Sequence, residues 1–392
     1  MADARPHKVR LFTPGPVEIP PRVLRALSQP PPHHRTENFR ATLARVTEKL
    51  KALHGTAGEV FILPASGTGA MEAAVVNVMS PRRRGLAIAG GKFGERWASL
   101  LKTYGVPHTT LDIEWGASVE VAKVEEALTR DPSIDTVFAT HSETSTGALH
   151  DVQALARMTR ARGVRLVVDA ITSLAVHPLA QDAWGVDVIV CGSQKGLMTP
   201  PGLSFCAVND RAQHVHKTAG MRTPYWDWTE REGAEHYRKY GGTAPIHLLF
   251  ALRQAIDMIH EEGLPNTFLR HRLLAEAVRR AVATWAEGQV LGFNIAEAGE
   301  RSDTVTTVVM ASSHDPVALQ RYCKEKCGLV LGVGIGELTG QAFRIAHMGH
   351  VNAPMILGTL GVIEVALHAL GIPHGRGGVE ASIDWLGETV TA

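Results

Sequence analysis

The sequence predicts an α/β protein with a large, mostly parallel seven-stranded sheet, followed by a small C-terminal α+β domain. Between residues 60 and 208, short runs of β-branched residues alternate with stretches of helical periodicity, as in successive β-α-β units. After residue 262, helical stretches and short strand-like runs continue without that regular alternation. We therefore divide the chain into an N-terminal arm (1–20), a large domain (21–262) and a small domain (263–392).

Each predicted element rests on its own local pattern. The strands are apolar, rich in β-branched residues and bounded by turn-forming residues, and the helices carry one apolar stripe. In the large domain the predicted strands are residues 60–63, 85–89, 109–113, 135–140, 165–169, 187–191 and 203–208. The predicted helices there are 37–53, which Gly55 closes, 70–79, 151–162 and 246–262. In the small domain we predict helices at 267–286 and 316–326 and strands at 304–310 and 342–347.

Composition excludes several classes of function. The 40 Lys and Arg residues nearly balance the 39 Asp and Glu residues, so no overall field attracts nucleic acid or an anionic membrane. No apolar stretch reaches the length of about 18 residues that a membrane span requires. The four cysteines are too few and too scattered for a disulfide framework, which indicates reduced thiols. We expect a cytoplasmic protein.

Lys195 stands at the end of a predicted strand, in the turn 192–196. Pro200, Pro201 and Gly202 follow and prevent a helix there. A lysine that is partly desolvated in such a turn has a lowered pKa and is well suited to form a Schiff base. The alternative is an ordinary solvated surface lysine.

Asp169 ends the apolar strand 165–169, one β-α-β step before Lys195. A carboxylate at the end of a buried strand is costly unless it is paired. It either caps the following segment or pairs with a cationic group of a ligand, such as a protonated pyridine nitrogen.

Two further turns are predicted at the same edge of the sheet. Ser66, Gly67 and Thr68 open a helix, where free N–H groups and the helix dipole favour a phosphate, although Ser66 is also a suitable N-cap. The loop 140–147 collects hydroxyls and a carboxylate, which is also common in simple turns. Ligands of open α/β sheets bind at this carboxyl edge.

Residues 209–245, dense in Trp, Tyr, Arg and Gly, are too long for a connector and are predicted to serve a site or an interface.

From the Phe-Thr-Pro-Gly-Pro run at residues 12–16 to Arg344, the chain resembles a class V aminotransferase of pyridoxal 5′-phosphate (PLP) fold type I. Within that class it resembles the alanine–glyoxylate and serine–pyruvate aminotransferase group. The residues 193–196 and 200–202 form the most specific motif, followed by the strand end at Asp169. The resemblance implies a homodimer with shared active sites. It also implies transfer of an amino group from a donor such as alanine or serine to an oxo acid such as glyoxylate or pyruvate, with ping-pong kinetics.

The resemblance also implies a role for each motif. Lys195 would be the Schiff-base lysine and acid/base, Asp169 the partner of the pyridine nitrogen, and Arg344 the receptor of the substrate carboxylate. Phe93 stands where relatives often carry a stacking Trp. The other implied cofactor contacts are Ser66, Gly67, Thr68 and Gln194 at the phosphate, Thr144 at the phenolic oxygen, Ile171 on the second ring face, and Tyr240 and Thr243 from the neighbouring subunit.

Alternatives remain open at this stage. The same fold hosts PLP-dependent lyases and desulfurases, but a desulfurase needs a mobile cysteine, and Cys323 and Cys327 fall on a predicted helix. Those two cysteines also lack neighbouring His or Cys residues for a metal site. A third hypothesis is a non-catalytic partner subunit, as in relatives associated with hydrogenases. Arg344 is otherwise a structural ion pair with an acid such as Glu337, and His347 either lines the pocket or is a packed structural histidine.

Overall fold

The structure is a computed structural model that describes residues 8–221, 223–232 and 238–390. Its strands, in chain order, are β1 (Arg10–Phe12), β2 (Glu59–Leu63), β3 (Arg84–Ala89), β4 (His108–Asp112), β5 (Ile134–Thr140), β6 (Ser142–Glu143), β7 (Ala148–Leu149), β8 (Arg165–Asp169), β9 (Val188–Gly192), β10 (Ser204–Val208), β11 (Leu291–Phe293), β12 (Val305–Met310), β13 (Leu329–Val333) and β14 (Ala342–Ala346).

The α-helices of the same ranges are α1 (Pro21–Leu27), α2 (Glu37–His54), α3 (Gly67–Val78), α4 (Lys92–Thr103), α5 (Val121–Arg130), α6 (Val152–Ala161), α7 (Gln181–Trp184), α8 (Asp210–His216), α9 (Ile246–Glu262), α10 (Leu264–Ala286), α11 (Pro316–Cys327), α12 (Ala353–Ala369) and α13 (Gly378–Val390). Short 3₁₀ helices lie at Thr229–Arg231, Arg238–Tyr240, Ala298–Glu300 and Gly336–Leu338. None of the helices in these ranges combines the length and the hydropathy needed to cross a membrane.

The large sheet has seven strands in the order β2-β10-β9-β8-β5-β3-β4. The strands β9, β8, β5, β3 and β4 pair in parallel, and β10 runs antiparallel to both of its neighbours. The predicted mostly parallel seven-stranded sheet is therefore confirmed. Each predicted strand of this sheet lies within one or two residues of an observed one, because the strands other than the half-buried edge strand β4 are largely apolar runs with clear ends.

Helices cover both faces of this sheet. Along β2, Val60 and Ile62 face the core formed with α2 and α9, whereas Phe61 and Leu63 face the core formed with α3 and α8. This alternation follows the two-residue period of a strand. Helix α2 matches its prediction and ends at Gly55, whose φ of +63° is the left-handed conformation that stops a helix. Because helices bury both faces of the sheet, a ligand can reach it only where the strands end.

The small sheet has the order β1-β13-β14-β12-β11, and α10 to α13 contribute to its core. Strand β1 comes from the N-terminal arm and pairs in parallel with β13, with Arg10 opposite Leu329. The arm thus crosses from the small sheet to the large domain through residues 13–20. The boundaries at residues 20 and 262 stay predictions.

Candidate active site

Three strands of the large sheet end side by side at its carboxyl edge. Thr140 at the end of β5 stands opposite Asp169 at the end of β8, and Asp169 stands opposite Val190 of β9. The turns that follow these strands, residues 141–147, 170–173 and 193–199, therefore meet at one place. This edge collects Asp169, Thr144 and Lys195, as the sequence predicts.

Asp169 is buried, with 3% of its surface exposed. Its Oδ1 accepts a hydrogen bond of 2.8 Å from the backbone N–H of Ile171. Burial raises the pKa of this carboxyl to about 7, and the neighbouring Glu143 carboxylate acts in the same direction. A cationic partner would favour the ionised form of Asp169, because an opposite charge offsets desolvation.

Lys195 is also buried, with 9% of its surface exposed. Its turn is held by a hydrogen bond from Met198 N to the Lys195 carbonyl and by one from Thr199 N to the Ser193 carbonyl. Burial lowers the pKa of the amine to about 8, and the positive charge of Arg344 adds to this effect. The structure therefore favours the desolvated lysine over the solvated surface lysine.

The N-terminal arm packs directly on Lys195. Its Nζ donates to the carbonyl oxygen of Pro14. At Gly15, whose φ is +131°, an added Cβ would lie 2.5 Å from both Cε and Nζ of Lys195. Only glycine leaves room for the lysine at this point of the arm.

The turn before α3 has the features of an anion site. Ser66 occupies the N-cap position, but its side chain makes no capping hydrogen bond. A Cβ at Gly67 would lie 2.5 Å from Cδ1 of Ile171, so the turn and Ile171 are in close contact. Nearby, Gln194 Oε1 is buried and has no hydrogen-bond partner in the described part of the chain. The helix begins at Gly67, three residues before the predicted start, because small residues adopt the first turn without a capping side chain.

Phe93 lies in the first turn of α4, and its ring is flanked by Arg96. The Arg96 guanidinium lies 4.9 Å from the centre of the Phe93 ring. Arg96 Nη1 also donates a 2.8 Å hydrogen bond to Thr68 Oγ1. The predicted stacking residue and the predicted phosphate turn are thus joined through one arginine.

Thr144 links the two domains. Its Oγ1 lies 2.5 Å from Thr172 Oγ1, and its carbonyl accepts a 2.7 Å hydrogen bond from Arg344 Nη1. Thr144 is 3% exposed. The hydroxyl loop predicted from the sequence therefore reaches the arginine of β14.

Arg344 lies in the middle of β14, opposite Thr307 of β12 and Gly332 of β13. Its Nε donates to the Val333 carbonyl at 2.8 Å. It forms no ion pair with any carboxylate of the described ranges, Glu337 included, so the structural ion pair is wrong. Burial lowers the pKa of this guanidinium to about 10. A buried cation whose hydrogen bonds go only to carbonyl oxygens is suited to bind an anionic group.

Several predicted residues lie elsewhere. Tyr240 is 1% exposed and packs in the core of its own large domain, so the structure does not bring its side chain to the surface. Burial raises the pKa of its hydroxyl. Thr243 is exposed, beside Gly241 and Gly242. In the segment 209–245, Trp226 and Trp228 are tied to α3 through Asn77, and residues 222 and 233–237 lie outside the described residues.

His347 and the two cysteines lie outside the site. His347 is fully buried, with Nε2 2.9 Å from Thr306 Oγ1 and Nδ1 2.9 Å from the Asp303 carbonyl, which is the packed structural histidine. Cys323 is buried in α11 and Cys327 is its last residue. The described residues contain no group of three or more His, Cys, Asp or Glu side chains suited to a metal ion.

The sequence did not single out three residues that the structure brings to this edge: Glu143, Thr172 and Arg96. Glu143 appeared in the sequence only as one polar residue of a loop. Two of its four hydrogen bonds come from α4, some 50 residues earlier in the chain, and the other two come from Ser145. Arg96 follows Phe93 by three residues, a spacing that places both on one helix face. This spacing from Phe93 is the one signal in the sequence that could have identified Arg96 as a site residue.

The profile of the family described as Aminotransferase class-V matches residues 11–344. A soluble hydrogenase small subunit of Synechococcus sp. is 36% identical over 93% of this chain and 94% of its own. A serine–glyoxylate aminotransferase of Methylorubrum extorquens is 34% identical over 100% of this chain and 99% of its own.

The fold agrees with these matches. The crystal structure of an alanine–glyoxylate aminotransferase from Nostoc sp. superimposes with a TM-score of 0.85, at 29% identity, over 94% of this chain and 97% of that one. The seven-stranded sheet, the lysine turn after β9 and the acidic end of β8 lie inside the matched region. This chain belongs to the class V aminotransferases, and it is a PLP-dependent enzyme of fold type I.

Proposed function

We propose that this enzyme moves the amino group of a small amino acid to a small 2-oxo acid of the glyoxylate or pyruvate type, by a ping-pong mechanism. One observation carries the proposal: Arg344 is a buried cation with no acidic partner among the described residues, at the edge that also holds Lys195 and Asp169. Donor and acceptor share an α-carboxylate, so one arginine serves both half-reactions. The names of the serine–glyoxylate and alanine–glyoxylate relatives support the choice of small substrates.

The residues of this edge fit PLP. The buried acid Asp169 lacks a cationic hydrogen-bond partner among the described side chains, and Gln194 Oε1 and Thr140 Oγ1 are buried without hydrogen-bond partners there. The Gly67 backbone lies close against Ile171, where a larger residue would clash. When bound, PLP supplies an aldehyde that condenses with amines and a ring that accepts the electron pair left when the substrate Cα–H bond breaks.

We assign each group a part in holding the cofactor. Asp169 would hold the proton on the ring nitrogen, and Phe93 and Ile171 would cover the two faces of the ring. The phosphate would lie at the start of α3, where N–H groups and the helix dipole favour an anion. Ser66, Gly67, Thr68 and Gln194 would bind the phosphate, and Thr144 would contact the phenolic oxygen.

Lys195 would carry the proton between the reacting atoms. Because burial lowers its pKa to about 8, a substantial fraction of the amine is neutral at mildly alkaline pH and accepts a proton. In the loaded enzyme, Lys195 Nζ would remove the proton from the substrate Cα and would hold it for the cofactor carbon that carried the aldehyde. Arg344 would fix the carboxylate, so that this Cα–H bond faces the lysine.

We also propose a homodimer in the cytoplasm. Thr243 is exposed, next to a surface cavity of about 440 Å³ that Arg231 and Gly242 also line, and is available to a second subunit. Tyr240 is buried in its own subunit, so the shared-site proposal rests on Thr243. All four cysteines are unpaired, which supports a reducing compartment.

The alternatives are less well supported. Cys323 is buried in α11, and burial raises the pKa of its thiol to about 12, which does not suit a desulfurase nucleophile. One relative, 36% identical, is named as the small subunit of a soluble hydrogenase, which is the basis for the partner-subunit alternative. The intact Lys195, Asp169 and Arg344 favour an enzyme.

The half-reaction tests the proposal directly. The PLP-loaded protein is incubated with single amino acids, and the absorbance of the bound cofactor is followed until the pyridoxamine form appears. Small donors such as alanine or serine should convert it, and glyoxylate or pyruvate should restore the original spectrum. A cofactor-loaded protein that no amino acid converts would support the non-catalytic role instead.

A further inference from the structure

Glu143 is a fully buried carboxylate that forms no ion pair with any side chain of the described ranges. Its hydrogen bonds go in two directions. Oε2 accepts from Phe93 N at 3.1 Å and from Gly94 N at 3.0 Å. Oε1 accepts from Ser145 N at 3.0 Å and from Ser145 Oγ at 2.6 Å. Four donors around one buried anion replace the water that it loses.

The first direction is toward the start of α4. Gly91, at the N-cap position, has no side chain, and the first three N–H groups of the helix are bonded from outside. Lys92 N donates to Ser145 Oγ at 3.0 Å, and the next two N–H groups donate to Glu143. A Cβ at Gly91 would lie 2.5 Å from Cγ of Glu143. The backbone position of Phe93 is therefore set by residues of another segment.

The second direction is along the loop that follows β6. The Glu143 carbonyl accepts from Gly147 N at 2.8 Å, so the loop closes on itself. Thr144, inside this loop, holds Arg344 Nη1 by its carbonyl and Thr172 by its hydroxyl. The orientation of Arg344 thus depends on the loop that Glu143 and Ser145 shape.

We propose that Glu143 is a positioning residue that fixes Phe93, over the cofactor ring, and Arg344, at the substrate carboxylate, through one set of hydrogen bonds. The inference rests on the proposed function, which gives Phe93 and Arg344 those roles. It adds a coupling between the two: the cofactor contact and the substrate contact respond together when the Glu143 carboxylate is changed.

Glu143→Gln is the sharpest change. An amide keeps the size of the side chain but replaces one acceptor with a donor. If its oxygen faces Phe93 and Gly94, its NH₂ faces the Ser145 N–H, and the reverse orientation faces two backbone N–H groups. Either way buried donors lose their acceptor. Ser145→Ala is the milder change, because it removes the hydroxyl that bonds both Glu143 and Lys92 N and keeps the carboxylate.

The matched control is Asp187→Asn. Asp187 is 1% exposed and also accepts a backbone hydrogen bond, from Leu166 N at 2.8 Å. It precedes β9 and so lies at the opposite edge of the same sheet. If Glu143 served folding alone, Glu143→Gln and Asp187→Asn should have the same effects on stability, on the cofactor dichroism and on KM.

The experiment uses PLP-loaded protein and measures visible circular dichroism of the cofactor, the dissociation constant of PLP, and KM and kcat for an amino acid. Glu143→Gln should reduce the dichroism, weaken PLP binding and raise KM by roughly tenfold or more, as a lost charge-assisted hydrogen bond does. Arg344→Lys should add less to KM in the Glu143→Gln background than in the wild type, since coupled residues are non-additive. Asp187→Asn should lower the melting temperature and leave the dichroism and KM unchanged.

Wild-type dichroism and KM in Glu143→Gln, with Arg344→Lys acting additively, would overturn the proposal. If Glu143→Gln does not accumulate as folded protein, Ser145→Ala decides: it should shift the same quantities in the same direction, and wild-type values would overturn the proposal. An Arg344→Lys protein with unchanged amino-acid kinetics would contradict the proposed function. The dichroism of the Glu143 and Ser145 variants would still decide the effect on Phe93.

Discussion

Arg344 Nη1 donates to the carbonyl oxygen of Thr144 at 2.7 Å, although 200 residues separate the two in the chain. This bond joins β14 of the small domain to the hydroxyl loop of the large domain. The guanidinium is therefore oriented before any substrate arrives, and its environment contains carbonyl oxygens in place of a carboxylate partner.

Arg344→Lys keeps the charge and removes the planar fork that binds a carboxylate by two hydrogen bonds. We expect kcat/KM for amino acids to fall by roughly ten- to a few hundredfold, which corresponds to a charge-assisted bond of about 1.5–3 kcal/mol. Amines without a carboxylate are the control and should react nearly as before. A variant with lower thermal stability and unchanged amino-acid kinetics would make Arg344 a structural residue.

Asp169→Asn should bind PLP and lose most of its turnover. The uncharged amide no longer holds a proton on the ring nitrogen, and this weakens the ring as an electron acceptor. Cofactor content is measured by absorbance and turnover by the half-reaction with a single amino acid. Near-normal turnover with full cofactor content would contradict the pairing of Asp169 with the ring.

The cofactor-free protein should be destabilised by Asp169 as the pH rises. The folded pKa of about 7 lies above the ordinary value of 3.8, so the folded state binds the proton more tightly than the unfolded chain. The stabilising contribution is complete below pH 3.8 and is lost as the pH approaches 7. Cofactor-free Asp169→Asn should therefore gain stability relative to the wild type between pH 4 and 7, and denaturant unfolding across this range measures the difference. An equal stability difference between the variant and the wild type at pH 4 and at pH 7 would exclude a titration of Asp169 in this range.

Lys195 should attach to PLP with a pH dependence set by its lowered pKa. Only the neutral amine attacks the aldehyde, so the attachment rate of cofactor-free protein should rise with pH and level off above about 8. Borohydride reduction followed by peptide mapping should locate the cofactor on Lys195. A Lys195→Ala protein that still gives a borohydride-stable adduct would remove Lys195 from the mechanism.

Shared active sites predict complementation between two inactive variants. Lys195→Ala lacks the amine, and Thr243→Asp places a negative charge against the phosphate. After subunit exchange, activity should return to about one quarter of the wild-type value, because random exchange makes half of the dimers hybrid and each hybrid has one intact site. No recovery after verified exchange would mean that each site is built from one chain.

Local pattern was sufficient for the strands and for the lysine turn. Most strands of the large sheet were predicted because buried strands are largely apolar runs that end at turn-forming residues. Lys195 was singled out because Pro200, Pro201 and Gly202 exclude a helix after it. These signals lie within a few residues of the feature that they predict.

The sequence by itself thus determined the α/β class, the family, and the acidic, hydroxyl-bearing and basic residues at the carboxyl edge. Only the tertiary structure decided how these residues are held. Strand β1 is three residues long and pairs with β13 more than 300 residues later, so no local pattern predicts it. The burial of Tyr240 in its own core and the hydrogen bonds of Glu143 to Phe93 and Gly94 arise from segments that meet only after folding. The physical reason is that an apolar or turn pattern depends on neighbouring residues of the chain. The hydrogen-bond partners of a buried polar group depend instead on how distant segments of the chain pack together.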